Sequence, residues 1–214
     1  TQNHAGVDAW KMRFRIQVRA YERSVPVILQ KCFNRGFWVK QKQIVPTSKE
    51  RIMREGDFIV SKTDLKGRIT YGNRIFIEFS GYSEAELIGT QHNIIRHPDM
   101  PRAVFQLLWD TIEQGKEIFA YVKNMSKDGG FYWVFANVTP SYDKNGNMVG
   151  YYSVRRKPNP KAVAVVDGVY KAMLAEEQRA GAKDAIAKST QILVDLLTEK
   201  GLSYEELIFA LEAS

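Results

Sequence analysis

The chain has 214 residues, 44% of them hydrophobic and 26% charged, with a net charge of +7. That length accommodates one domain of about 100–150 residues plus extensions, and the hydrophobic content supports a packed core, which excludes wholesale disorder. No run approaches the ~20 apolar residues that span a bilayer, no N-terminal apolar stretch reads as a signal peptide, and a single cysteine, Cys32, excludes an intramolecular disulfide framework, so a cytoplasmic chain without a transmembrane segment is expected.

The basic excess is not spread along the chain. Residues 1–45 carry nine Lys or Arg against Asp8 and Glu22, which accounts for the full +7, and the remainder balances 22 basic against 22 acidic side chains. A nucleic-acid-binding domain would carry such charge on its own surface, so no nucleic-acid partner is expected. Residues 1–47 form a basic leader, suited to phosphates or anionic lipid, or simply to a solvated tail. Within it Trp10, Phe14, Val18 and Tyr21 recur at helical steps until Pro26 interrupts them.

Ser48 stands where it would cap a short helix over residues 48–55. Residues 58–61 and 69–71 read as strands joined by a turn containing Gly67. Asn73 caps a helix carrying Ile75, Phe76 and Phe79 on one face, and Gly81 ends it. Ser83 and Glu86 make a capping box for a second short helix, closed by Gly89. Residues 102–114 give the longest helix of the domain, with Val104, Leu107, Leu108 and Ile112 as its apolar stripe and Trp109 beside it. Strands over 117–124, 131–138 and 148–155 follow, joined by turns at Asp128-Gly129-Gly130 and Asn145-Gly146. The pattern predicts an α+β fold: a five-stranded antiparallel sheet with helices on one face and a ligand between them. Past Pro158 and Pro160, helical periodicity covers 161–179 and 184–199, and Ser203 with Glu206 opens a last helix. Three regions result: the leader 1–47, a domain at 48–157 and a helical extension at 158–214.

The most informative stretch begins at Asn93 and runs Ile94-Ile95-Arg96-His97-Pro98-Asp99-Met100-Pro101. Its prolines hold the backbone out of the helical region, and Asp99 is a candidate N-cap for the helix that follows. A guanidinium, an imidazole and a carboxylate are thereby presented together. Arg96 suits a pyrophosphate or a carboxylate, or a salt bridge to Asp99. His97 could meet a ring nitrogen or ligate a haem iron, or simply fix the loop, and His92 is a second candidate for the same roles.

Together with Phe79-Ser80-Gly81-Tyr82-Ser83 and Glu86-Leu87-Ile88-Gly89 upstream, and Trp109, Lys123-Asn124, Tyr132-Trp133-Val134 and Asn137 downstream, this stretch resembles a PAS domain. It is similar in particular to the FAD-binding PAS sensors of the bacterial aerotaxis-receptor type. The resemblance runs from about residue 56 to about residue 175. It implies FAD as cofactor, with Arg96, His97 and Asp99 in its binding and Trp109 lining the flavin pocket. It also adds Asn93, Tyr121, Asn124 and Asn137 as polar positions near the ring, although turn or ladder support explains the last three equally well. Strand alternation pairs Trp133 with Phe135 on one face and Tyr132 with Val134 on the other, and Trp133 is taken as the ring that faces the cavity.

Catalytic patterns are absent: no Gly-x-Ser-x-Gly, no phosphate-binding loop and no His-Glu-x-x-His. Three scattered histidines and one cysteine give no zinc spacing. Cys32 lies well before the first strand, which argues against a light-driven flavin adduct. The reading is a redox- or oxygen-responsive, non-enzymatic sensor that binds FAD non-covalently. It would signal through a homodimer or a chemotaxis-type protein. The alternatives are a haem-binding gas sensor using His97 or His92, and an unliganded PAS module for dimerisation. The dimer expectation comes from the aromatic residues on the last three strands, which exceed what a solvated sheet face needs.

Overall fold

The structure, a computed structural model, describes residues 44–214. Cys32 and the periodicity at Trp10 to Tyr21 lie outside the described residues.

Five strands, β1 (Ile59–Thr63), β2 (Ile69–Gly72), β3 (Ile118–Met125), β4 (Phe131–Tyr142) and β5 (Met148–Arg156), form one antiparallel sheet in the order β2-β1-β5-β4-β3. Three helices, α1 (Arg74–Ser80), α2 (Glu84–Leu87) and α3 (Arg102–Ile112), intervene between β2 and β3, with a 3-10 turn at His92–Ile95. Local chemistry sets their ends. Asn73 accepts from the Phe76 amide at 2.9 Å and donates to the Phe58 carbonyl at 2.7 Å, so one side chain both starts α1 and pins it to the entry of β1. Ser83 and Glu86 form the capping box of α2.

Two local expectations fail. Residues 48–55 are not a helix. The Phe131 amide donates to the Lys49 carbonyl and the Arg51 amide to the Phe131 carbonyl, so the segment runs extended beside the start of β4. It has no apolar helical face to bury: Met53 is in the core, but Ile52 is 71% exposed. The close approach also explains Gly129, where a Cβ would lie 2.2 Å from the Val45 carbonyl oxygen. Nor is Asp99 an N-cap. Pro101 occupies that position in α3 and offers no side-chain acceptor.

The sheet has an inner face, packed under α1 to α3, and an outer face. The outer face of β3 and β4 is covered by the C-terminal helices α4 (Pro160–Lys200) and α5 (Tyr204–Glu212). Gly181 breaks α4 at φ 72°, a left-handed conformation that splits it into two arms. Tyr170 Oη donates to the Tyr121 carbonyl and Tyr204 Oη to the Phe119 carbonyl, each at 2.9 Å. Phe209 packs 4.9 Å from Phe119 between ring centroids. Of the aromatic residues that suggested a dimer, Phe119, Tyr121, Trp133 and Phe135 are thus covered by the chain's own helices, whereas Tyr151 faces the other side of the sheet.

Candidate functional site

Between the inner sheet face and α3 lies a cavity of about 240 Å³. For scale, a cavity of about 150 Å³ accepts benzene. Small side chains on the sheet open the space: Val122 on β3, Ala136 and Val138 on β4, and Ser153 on β5. Phe105, Leu108 and Trp109 on α3 form the opposite wall. Trp109 meets Tyr151 edge-on at 5.4 Å, and its ring lies so close over Gly67 that a Cβ there would sit 3.1 Å from it.

The polar groups of the cavity come from three places. Arg96, on the loop, stacks its guanidinium 4.2 Å over the Phe105 ring and donates to the Met100 carbonyl at 3.2 Å. Burial lowers its pKa from the ordinary value, with Glu177 acting against that. Asn124, on β3, is 4% exposed, and its Nδ2 has no hydrogen-bond partner. His92, in the 3-10 turn, stacks on Phe76 at 5.8 Å and lies 3.0 Å from Ser61 Oγ through Nε2. Burial, reinforced by the charge of Arg155, pushes His92 down to about 3, so it is neutral at pH 7. Among the described residues no Asp or Glu lines the cavity. Among the described residues there is also no cluster of His, Cys, Asp and Glu that could hold a metal ion.

Residues 69–155 match the family described as the PAS fold. The chain carries a PAS domain. Its sequence is 42% identical to the aerotaxis receptor of Escherichia coli K12 over 54% of this chain and 22% of that protein. It is 29% identical to the nitrogen fixation regulatory protein of Klebsiella pneumoniae over 49% of this chain and 21% of that protein. The chain therefore aligns with about a fifth of the length of these relatives. A solved PAS domain from Colwellia psychrerythraea is 27% identical, with a TM-score of 0.43 over 47% of this chain and 85% of that one.

Within this PAS domain the expected site residues divide. Arg96, Trp109, Asn93 and Asn124 line the cavity together. His97 and Asp99 do not. His97 is buried behind the loop, its ring edge-on to Phe131 at 5.9 Å, and its Nδ1 accepts from the Asp99 amide at 3.1 Å. Burial and then Lys123 lower its pKa. Its role here is to hold the turn. The Asp99 carboxylate bonds Lys123 Nζ at 2.6 Å rather than Arg96.

Tyr121, Trp133 and Asn137 lie on the outer face. Tyr121 Oη donates to Glu212 at 2.7 Å, Trp133 packs 6.2 Å from Tyr170, and Asn137 donates to Glu117 at 3.0 Å. The alternation on β4 holds as expected, but the parity that faces the cavity is that of Ala136 and Val138, not that of Trp133. Arg155, Ser61 and Ser153 also line the cavity and were not singled out from the sequence. Arg155 sits beside Arg156 and Lys157 in what reads as a solvated charge run. The available signal was its shared strand parity with Ser153 and Tyr151.

Proposed function

We propose that residues 48–157 are a redox- or oxygen-responsive sensor domain that binds FAD non-covalently in this cavity and signals by protein contact. The observation that carries the reading is the Asn124 amide, buried with an unpartnered Nδ2 inside a cavity walled by Trp109, Phe105 and Leu108. Buried donors are normally satisfied, and a flat aromatic ring with carbonyl acceptors on its edge would satisfy this one while filling the apolar walls. A cavity of this size takes a ring system rather than a whole dinucleotide. The phosphates would then lie towards Asn93 and Arg96, where a charge-assisted bond is available. The 42% identity to part of the aerotaxis receptor supports the same reading.

Bound flavin would supply a redox-dependent change of charge and hydrogen bonding. The chain's own residues would hold the ring, exclude water and bias the helices packed around it between two arrangements. The partner would be a signalling protein of the chemotaxis type or a second copy of the chain. Titration of the ligand-free chain with FAD, followed by quenching of tryptophan and flavin fluorescence, tests the proposal. Saturable one-to-one binding is expected, and Asn124→Leu should weaken it. Binding that the Asn124→Leu variant retains unchanged would place the flavin elsewhere.

A further inference from the structure

Among the described residues, Arg155 is the only buried lysine or arginine. It lies on β5, on the inner face with Tyr151 and Ser153, and is 2% exposed. Its Nη2 donates to Ser61 Oγ, and its guanidinium sits 4.9 Å from the centre of the Phe76 ring. Nε and Nη1 have no hydrogen-bond partner. Among the described residues no carboxylate pairs with it, and the nearby Tyr132 hydroxyl is itself buried, unpartnered and uncharged at pH 7. The contrast with the next residue is informative. Arg156 points outward and lies 3.3 Å from Glu212.

A buried cation without a counter-charge is a costly arrangement, and buried guanidinium donors are nearly always bonded. The neighbours of Arg155 do not relieve it. His92 faces it through Ser61 and is neutral; Arg96 lines the same cavity and is cationic; among the described residues no acid lines it. The cavity is therefore rich in donors and positive in potential, with the free donors of Arg155 and Asn124 both lining it.

We propose that Arg155 is a ligand-contact residue, and that it selects a flat ring whose edge carries carbonyl-type acceptors or negative charge. The inference rests on reading the cavity as a ring-binding site, and it adds to that reading the cation that recognises the ring. Arg155 donates from its fork to the acceptor edge, while Ser61 and the Phe76 ring hold the guanidinium in place. Arg96 serves the other end of the ligand, so the two arginines have separable roles.

The test uses the full chain, freed of ligand and titrated with FAD and with riboflavin, which has the ring but no phosphates. Arg155→Met removes the charge at similar volume, and Arg155→Lys keeps the charge without the fork; Arg155→Gln replaces the former if it does not fold. The expected result is a tenfold or greater weakening of both FAD and riboflavin by Arg155→Met, with partial recovery in Arg155→Lys. Unchanged affinity for both ligands overturns the proposal. A loss confined to FAD also overturns it, because Arg155 would then serve the phosphates. The ligand-free melting temperature separates this inference from the flavin reading. If the wild-type chain binds neither flavin, the flavin reading fails. Arg155 is then judged by melting alone: a rise in Arg155→Met supports a cation held for a ligand, and a fall shows a purely structural group.

Discussion

Glu177 of α4 accepts a hydrogen bond from the Ala103 amide of α3 at 3.0 Å. The first amides of a helix have no partner within it, and Pro101 supplies no side-chain cap. A carboxylate 74 residues further on takes that place, also lying 3.5 Å from Arg102 Nε. The C-terminal helix is thus tied to the start of the helix that walls the cavity, next to the loop that carries Arg96.

Removing that carboxylate should loosen both helices. Glu177→Ala is expected to cost about 1–2 kcal/mol, as for the loss of a helix cap with favourable charge. Glu177→Gln, which keeps an acceptor, should cost less. Thermal unfolding gives the stability, and hydrogen exchange at the Ala103 amide reports the contact itself. An Ala103 amide equally protected in Glu177→Ala and wild type would count against the contact.

The two faces of the sheet predict opposite outcomes for two asparagines on neighbouring strands. Asn124→Ala should weaken flavin binding by about 1–2 kcal/mol, roughly tenfold. Asn137→Ala should leave it within a factor of about two, since its amide bonds Glu117 on the other face. Equal losses from both would mean that the cavity is not the binding site.

Acid should destabilise the ligand-free chain through His92. Its native pKa is lowered to about 3, whereas the unfolded side chain titrates at the ordinary value near 6.5. Between these values the unfolded state binds a proton that the native state refuses, so stability falls as pH drops through that window and is fully present above it. The slope for one such group is at most about 1.4 kcal/mol per pH unit. Denaturant midpoints at pH 7 and pH 5 should therefore converge in His92→Gln. His97, lowered for the same reason of burial, leaves a residual slope.

Because α4 and α5 cover the outer face of β3 and β4, the 214-residue chain is expected to sediment as a 24.5 kDa species at micromolar concentration. A truncation ending at Lys157 should expose Phe119, Tyr121, Trp133 and Phe135 and self-associate. A dimer of the 214-residue chain would require a different surface, such as the strip around Tyr71, Lys62 and Tyr152 on β2, β1 and β5.

Much of the domain was legible because its signals are local. Asn73, Gly81 and the Ser83–Glu86 pair act within four residues, and the structure uses each as its chemistry suggests. Residues 48–55 are not legible locally because their backbone partner, Phe131, lies some eighty residues away. The cavity residues were half legible. Proline spacing and resemblance pointed to Arg96 and Trp109, but strand alternation gives two parities without saying which faces inward. Large aromatic residues suggested one answer. A cavity needs the opposite, and the small side chains of Ala136, Val138 and Ser153 carried that signal. The aromatic parity is buried because α4 and α5 return over it, a contact that no local pattern encodes. Arg155 was hidden for a related reason: beside Arg156 and Lys157 its charge looked solvated, and only the sheet register turns it inward.

The most direct measurement is the cofactor content of the full chain as purified. An absorption spectrum is recorded, the protein is denatured, and the released ligand is identified and counted. The account predicts flavin absorption bands and about one FAD released per chain. A Soret band, or a colourless protein that takes up no flavin on reconstitution, would contradict it.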